Sequence, residues 1–134
     1  MGQQQLLLII LGVIIVGIAI AVGLSLFSAQ SIQSNRDAII NDLNNLAAQA
    51  YQHRIRPASM GGGNGAYNTS TGGTAFTIPS KMSSNENATY VPTIDDADNV
   101  TIVATSAQDA SNTVTATIDS NGKLVGWAYA GAFQ

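Results

Sequence analysis

The chain has 134 residues, enough for one modest domain plus an anchor, and only 10% of them are charged, against roughly 25% in an average soluble domain. A net charge of −3 with five Lys plus Arg leaves no basic surface for nucleic-acid phosphates. There is no cysteine, which excludes disulfides, thiolate zinc sites, c-type haem attachment and thiol catalysis.

From Met1 to Asn35 no side chain is charged. Residues 6–27 read LLLIILGVIIVGIAIAVGLSLF, with Ser25 the one polar side chain. As a helix this run extends about 33 Å, matching a hydrocarbon core about 30 Å thick. A cleaved secretory signal has a basic start and a shorter apolar run. Here the start is Met-Gly-Gln-Gln-Gln, so the segment is expected to stay in the mature chain as a transmembrane or filament-core helix, residues 1–27. Gly12, Gly17 and Gly23 interrupt the Ile/Val run. Ala19 and Gly23 form a small-xxx-small pair that permits close helix approach. The residues expected in an assembly core are Leu6, Leu7, Ile10, Gly12, Ile14, Gly17, Ile18, Ala19, Gly23, Leu24 and Phe27. Gln3, Gln4 and Gln5 mark the polar start, and amides buried there would have to pair with a neighbour.

After Phe27 the pattern becomes one-sided. Ala29, Ile32, Ile39, Leu43, Leu46 and Ala50 follow a three-to-four spacing, and polar residues, Asn35 among them, fill the other faces. This is an amphipathic helix over residues 28–56. No proline or glycine lies between Leu24 and Pro57, so one unbroken helix is expected from about Gln3 to His53, with His53, Arg54 and Arg56 at its negative dipole end. Pro57 and Met60-Gly-Gly-Gly-Asn-Gly65 then stop it, opening a Gly/Ser/Asn loop over 57–73, with the glycine run expected to be flexible.

Residues 74–134 read as a β-domain of period two. Expected strands are 74–79, with Phe76 and Ile78 together, 99–105, 113–118 and 123–129. The stretch 90–94 contains Pro92 and reads as an edge or a non-strand. Asp109-Ala-Ser-Asn112 and Asp119-Ser-Asn-Gly122 supply turns. Val125, Trp127 and Tyr129 are expected on one face. The fold class is therefore α+β: a long helix, apolar then amphipathic, packed on a three- or four-stranded antiparallel meander. A sheet this small needs cover. The packing set is Ile32, Ile39, Leu43 and Leu46 against Val114, Ile118, Val125 and Trp127.

A projecting apolar helix half, a sheet-packed second half, a loop and a terminal meander resemble a type IV pilin or pseudopilin over the whole chain. The family's basic leader, cleavage after glycine and early glutamate have no counterpart in Met1-Gly2-Gln3-Gln4-Gln5-Leu6. Counted from Met1 the fifth residue is Gln5, counted after Gly2 it is Leu7, and no carboxylate precedes Asp37. The family's kinking proline is missing too. The resemblance implies the architecture and a filament role, not the processing or glutamate-dependent docking.

No catalytic constellation is visible. His53 is the single histidine, and the glycine run lacks the Gly-Lys-Ser/Thr of a phosphate loop. Asp95, Asp96 and Asp98 with Asn99 offer oxygen ligands for a hard cation but read as a solvated turn. Asn68-Thr-Ser, Asn87-Ala-Thr and Asn99-Val-Thr are glycan acceptor triplets. The expectation is a non-enzymatic, cofactor-free subunit of an extracellular pilus-like filament. Its partners are further copies of itself, a membrane before assembly, and glycans on Ser, Thr or Asn, with no nucleic acid. The alternative is a single-span membrane or secretion component displaying a small partner-binding β-domain. Flanking charge is faint: Arg36, beside Asp37, taken literally places the β-domain in the cytoplasm.

Overall fold

A computed structural model describes residues 2–134; Met1, included in the expected apolar half, lies outside the described residues. Helix α1 runs unbroken over Gly2–Ile55, followed by a short 3-10 turn at Ala58–Met60. Four strands follow, β1 Ala88–Ile94, β2 Val100–Ser106, β3 Thr113–Ile118 and β4 Leu124–Ala130, and a second 3-10 turn at Gly131–Phe133. The chain divides into two compact units, residues 1–34 and 35–134, and each is described by itself.

In the second unit the sheet order is β1-β2-β3-β4, every neighbouring pair antiparallel. This is a meander, with four strands. The proline-bearing stretch forms edge strand β1, where Pro92 pairs opposite Ile102. An edge tolerates the missing N–H because no further strand needs it. The expected strand at 74–79 does not form. Phe76 is buried, and its N–H reaches the Tyr67 carbonyl at 2.8 Å rather than a sheet neighbour.

One face of the sheet and one stripe of α1 make the core. Along the helix Asn35, Ile39, Leu43, Leu46, Ala47 and Ala50 are buried, the steps of three and four that keep one face toward a partner. Opposite them Val100, Ile102 and Ala104 of β2 and Val114, Ala116 and Ile118 of β3 are buried. Ile32, in the first unit, is half-buried. The opposite face of the sheet lies in three complete cross-strand rows. They are Thr89-Thr105-Thr113-Ala130, Val91-Val103-Thr115-Ala128 and Thr93-Thr101-Thr117-Val125.

Strand β4 corrects the expected packing set. Val125 and Trp127 are both 37% exposed and are not core residues. The register explains why. Thr115 pairs with Ala128 and Thr117 with Val125, so Ala116 faces two residues, Gly126 and Trp127, in a bulge. Gly126 has φ +63°, the left-handed conformation that a glycine-first bulge requires. The extra residue flips the alternation. Val125 moves to the threonine face, while Trp127 and Tyr129 stay together with nearly parallel rings 6.2 Å apart. Leu124, opposite Ile118, takes the inward place assigned to Val125.

The glycine run is likewise not the free loop its composition suggests. Gly63 N–H donates to the His53 carbonyl at 2.7 Å, Gly65 N–H to Arg54 at 2.6 Å and Asn64 N–H to Arg56 at 3.0 Å. Those carbonyls are the unpaired acceptors of a helix end, so the run caps α1. A Cβ on Gly63 would sit 2.0 Å from the Ala66 carbonyl oxygen, and one on Gly73 would sit 2.5 Å from that of Gly62. Backbone approach this close admits no side chain.

Replacing buried Leu43 by alanine is expected to destabilise the folded domain by about 2–5 kcal/mol, the usual range for such a deletion. Val125→Ala is expected to cost well under about 1 kcal/mol. Urea denaturation of the full chain in detergent reads both. Equal losses would contradict the bulged register of β4.

Candidate assembly surface and the contacts that order the β-domain

Within the first unit every Leu, Ile, Val and Phe from Leu6 to Phe27 is exposed, from 51% at Leu11 to 73% at Phe27. The expected assembly residues Leu6, Leu7, Ile10, Ile14, Ile18, Leu24 and Phe27 are all among them, and Ala19 is exposed as well. The helix is long and apolar enough to cross a membrane, and none of its most apolar window is buried by the chain. β-Branched residues are indifferent helix formers, yet in an apolar medium the helix is one of two ways to satisfy every backbone group. A Cβ added at Gly12, Gly17 or Gly23 would meet nothing within 4 Å. The chain itself therefore gives no steric reason for these three glycines.

Within the second unit the helix is fixed on the sheet by polar contacts that hydrophobic periodicity alone misses. Asn35 occupies a buried position in the apolar stripe. Its Oδ1 accepts from the Ser106 hydroxyl at 2.6 Å, and its Nδ2 donates to the Asn87 carbonyl at 3.1 Å. Asp42 lies two turns further on. Its Oδ2 accepts from the Tyr90 hydroxyl at 2.6 Å, Asn85 Nδ2 at 2.9 Å and Asn87 Nδ2 at 3.1 Å. Desolvation pushes the Asp42 carboxyl up, but the three donated bonds together outweigh it and hold the group below its ordinary 3.8. Tyr90 is pushed up, first by burial and then by its bond to Asp42. Arg36 lays its guanidinium 4.2 Å over the Tyr129 ring, adding a cation–π contact beside the Trp127 stack.

At the far end of α1, Arg54 does more than favour the helix dipole. It donates to the Ala97 carbonyl at 3.0 Å and to Asp98 Oδ1 at 2.8 Å and lies 5.2 Å over the Tyr67 ring. Tyr67 in turn donates to the Asp119 carbonyl at 2.6 Å. Burial raises its phenol to about 12, with Arg54 pulling the other way. His53 Nε2 lies 2.7 Å from the Thr74 carbonyl, an acceptor that fixes the proton on that nitrogen. The ring packs edge-on to Phe76.

The aspartates of the 95–98 turn are used separately. Asp95 accepts from Thr101, Asp98 pairs with Arg54, and Asp96 Oδ1 accepts the N–H groups of Asp98 and Asn99. Among the described residues no group of three or more His, Cys, Asp or Glu could hold a metal.

The missed contacts left a partial signal. Asn35 precedes Ile39 by four residues and Leu43 by eight, so it continues the apolar stripe as a polar member. A single amide in such a register asks for a buried partner. Nothing in the sequence pairs Asp42 with Tyr90 across 48 positions. The long apolar helix and four-stranded antiparallel sheet are compatible with a pilin-like architecture. Compared with protein-family profiles, characterised proteins and solved structures, the chain matches none.

The lowered Asp42 group gives the domain a defined acid limb. Its contribution is fully present above the unfolded-state value near 3.8 and is lost as pH falls through the lower folded value. Asp42→Asn is expected to be less stable than the native chain at neutral pH, the gap closing as pH drops below about 3.8. Thermal melts from pH 7 to pH 2 read this, and a gap that stays constant would show the carboxylate charge to be immaterial.

Proposed function

We propose that the chain is the structural subunit of an extracellular helical filament. It polymerises through the apolar half of α1 after residence in a membrane, and its β-domain forms the outer coat. The observation that carries the reading is the continuous exposure of apolar side chains from Leu6 to Phe27. Such a surface has two favourable environments, lipid or further copies of the same helix. At about 25 cal/mol per Å² of apolar area, withdrawing it from water is worth tens of kcal/mol.

The glycines favour the second environment. Each costs about 1 kcal/mol of helix stability relative to alanine, and nothing inside the chain fills the space they leave. At roughly 3.6 residues per turn, Gly12, Ala19 and Gly23 fall within about 40° of arc, with Gly17 and Ala21 on the opposite side. Two opposed close-approach faces suit a helix that touches two neighbours. A heterologous contact that does not close on itself then yields an open fibre. The second reading is a single-span membrane or secretion component displaying the β-domain, and the same span supports it.

Electron microscopy of material sheared from cells, with mass determination of the subunit, separates the two readings. Fibres built from this chain are expected. Ile14→Asp or Ile18→Asp is expected to abolish them, because a charge in a dry helical core has no partner. Gly12→Leu and Gly17→Leu are expected to leave the melting of the β-domain unchanged while raising the concentration needed for assembly. A loss of about 1.4 kcal/mol per contact corresponds to about tenfold. Fibres that survive Ile14→Asp would rule out a core built from this segment.

A further inference from the structure

Three Asn-X-Ser/Thr triplets begin at Asn68, Asn87 and Asn99, and their amide nitrogens have different surroundings. Attachment of an N-linked glycan requires a free side-chain Nδ2. At Asn87 that nitrogen donates to Asp42 Oδ2 at 3.1 Å, while the residue's own carbonyl accepts from buried Asn35. At Asn99 it donates to both carboxylate oxygens of Asp96, each at 3.2 Å. At both sites the aspartate holds the amide in place, so a transferase would have to disturb that contact to reach the nitrogen.

Asn68 differs. Its Oδ1 accepts the Ser70 backbone N–H at 3.0 Å, and its Nδ2 makes no hydrogen bond. Among the described residues the one buried side-chain nitrogen or oxygen without a partner is Arg36 Nε. Asn68 is itself half-buried, and its nitrogen is not sealed from solvent. The neighbouring Thr69, Ser70 and Thr71 are exposed, yet the segment is held. Tyr67 N–H donates to the Ala97 carbonyl at 2.9 Å, Asn64 Nδ2 to the Thr71 carbonyl at 2.9 Å, and the Thr71 hydroxyl to the Gly63 carbonyl at 2.8 Å.

We propose that Asn68 is the acceptor of an N-linked oligosaccharide on the folded protein, the donor being a polyprenyl-diphosphate-linked sugar. In the transfer the Asn68 Nδ2–C1 bond forms and the C1–O bond to the lipid diphosphate breaks. The diphosphate leaves with the bonding electron pair, and one amide proton passes to a base of the transferase. The proposal rests on the filament reading in one respect alone, that export brings the loop to the compartment where such donors are used.

The test incubates the purified full chain in detergent with an oligosaccharyltransferase and its lipid-linked oligosaccharide, and reads intact mass and glycopeptides. The folded chain is expected to gain one glycan at Asn68. Asn68→Gln and Ser70→Ala are expected to lose it; Thr89→Val and Thr101→Val, which remove the other two triplets, are expected to keep it. Chain unfolded in urea is the positive control, accepting sugar at additional triplets. A folded chain that takes none while the unfolded chain does, or a glycan mapped to Asn87 or Asn99, would overturn the assignment. Fibres whose subunit has the unmodified mass would overturn it and leave the filament standing. A glycosylated chain that never forms fibres would do the reverse.

Discussion

Twenty-two consecutive residues with no apolar partner inside their own chain are the constraint on which everything else in this protein turns. An isolated domain rarely exposes a contiguous apolar patch beyond a few hundred Å² without a use for it. Here the exposed residues run around the full circumference of the helix from Leu6 to Phe27, so no docking of the remaining chain could cover them. The absence of any charge before Arg36 follows the same logic, because a charged side chain in that stretch would be expensive in lipid and in a helical core alike.

The β-domain then has to remain a discrete folded body while attached to a segment of opposite solvent preference. It does so by using the end of the same helix, from Asn35 to Ile55, as the cover of a four-stranded sheet. Apolar burial supplies the mass of that interface through Ile39, Leu43, Leu46 and Ala50. Orientation comes from the polar groups. Asn35 and Ser106 are buried and bonded to each other, and sliding the helix along the sheet would strand both. Losing one partner of a buried pair costs about 1–3 kcal/mol. Asp42 adds three acceptor contacts, and Arg54 ties the end of the helix to the 95–98 turn. The register of helix on sheet is therefore set by hydrogen bonds at both ends of an otherwise greasy contact.

Much of this was legible in the sequence, for identifiable reasons. The apolar run and the stripe from Ile39 to Ala50 have strong periods, and the helix reads through both. Strands β2 and β3 alternate without exception and emerge within one residue of expectation. Reading failed where a single backbone event broke a period. At Gly126 the bulge reverses the facing of Val125 while leaving Trp127 and Tyr129 together, a change that alternation cannot anticipate. It failed again at residues 61–65, where glycine composition suggests slack and the backbone is instead clamped onto helix carbonyls. Amides usually lie on a wet face, yet Asn35 is buried. The mutual bond to Ser106 depends on a neighbour 71 positions away, invisible to any local pattern.

The three rows of threonine, valine and alanine on the open face of the sheet have a consequence for tolerance to substitution. Apart from Thr101, which bonds Asp95, and Thr117, which bonds Thr101, no side chain there makes a hydrogen bond or ion pair that the fold requires. Substitutions at such positions generally move stability by no more than about 0.5 kcal/mol. The helix-facing side of the same strands has no such freedom. Strands β2 and β3 therefore carry alternate residues under opposite physical constraints. The open half of the sheet can be rewritten, one odd-numbered position at a time along β2 and β3, without disturbing the half that holds the protein together.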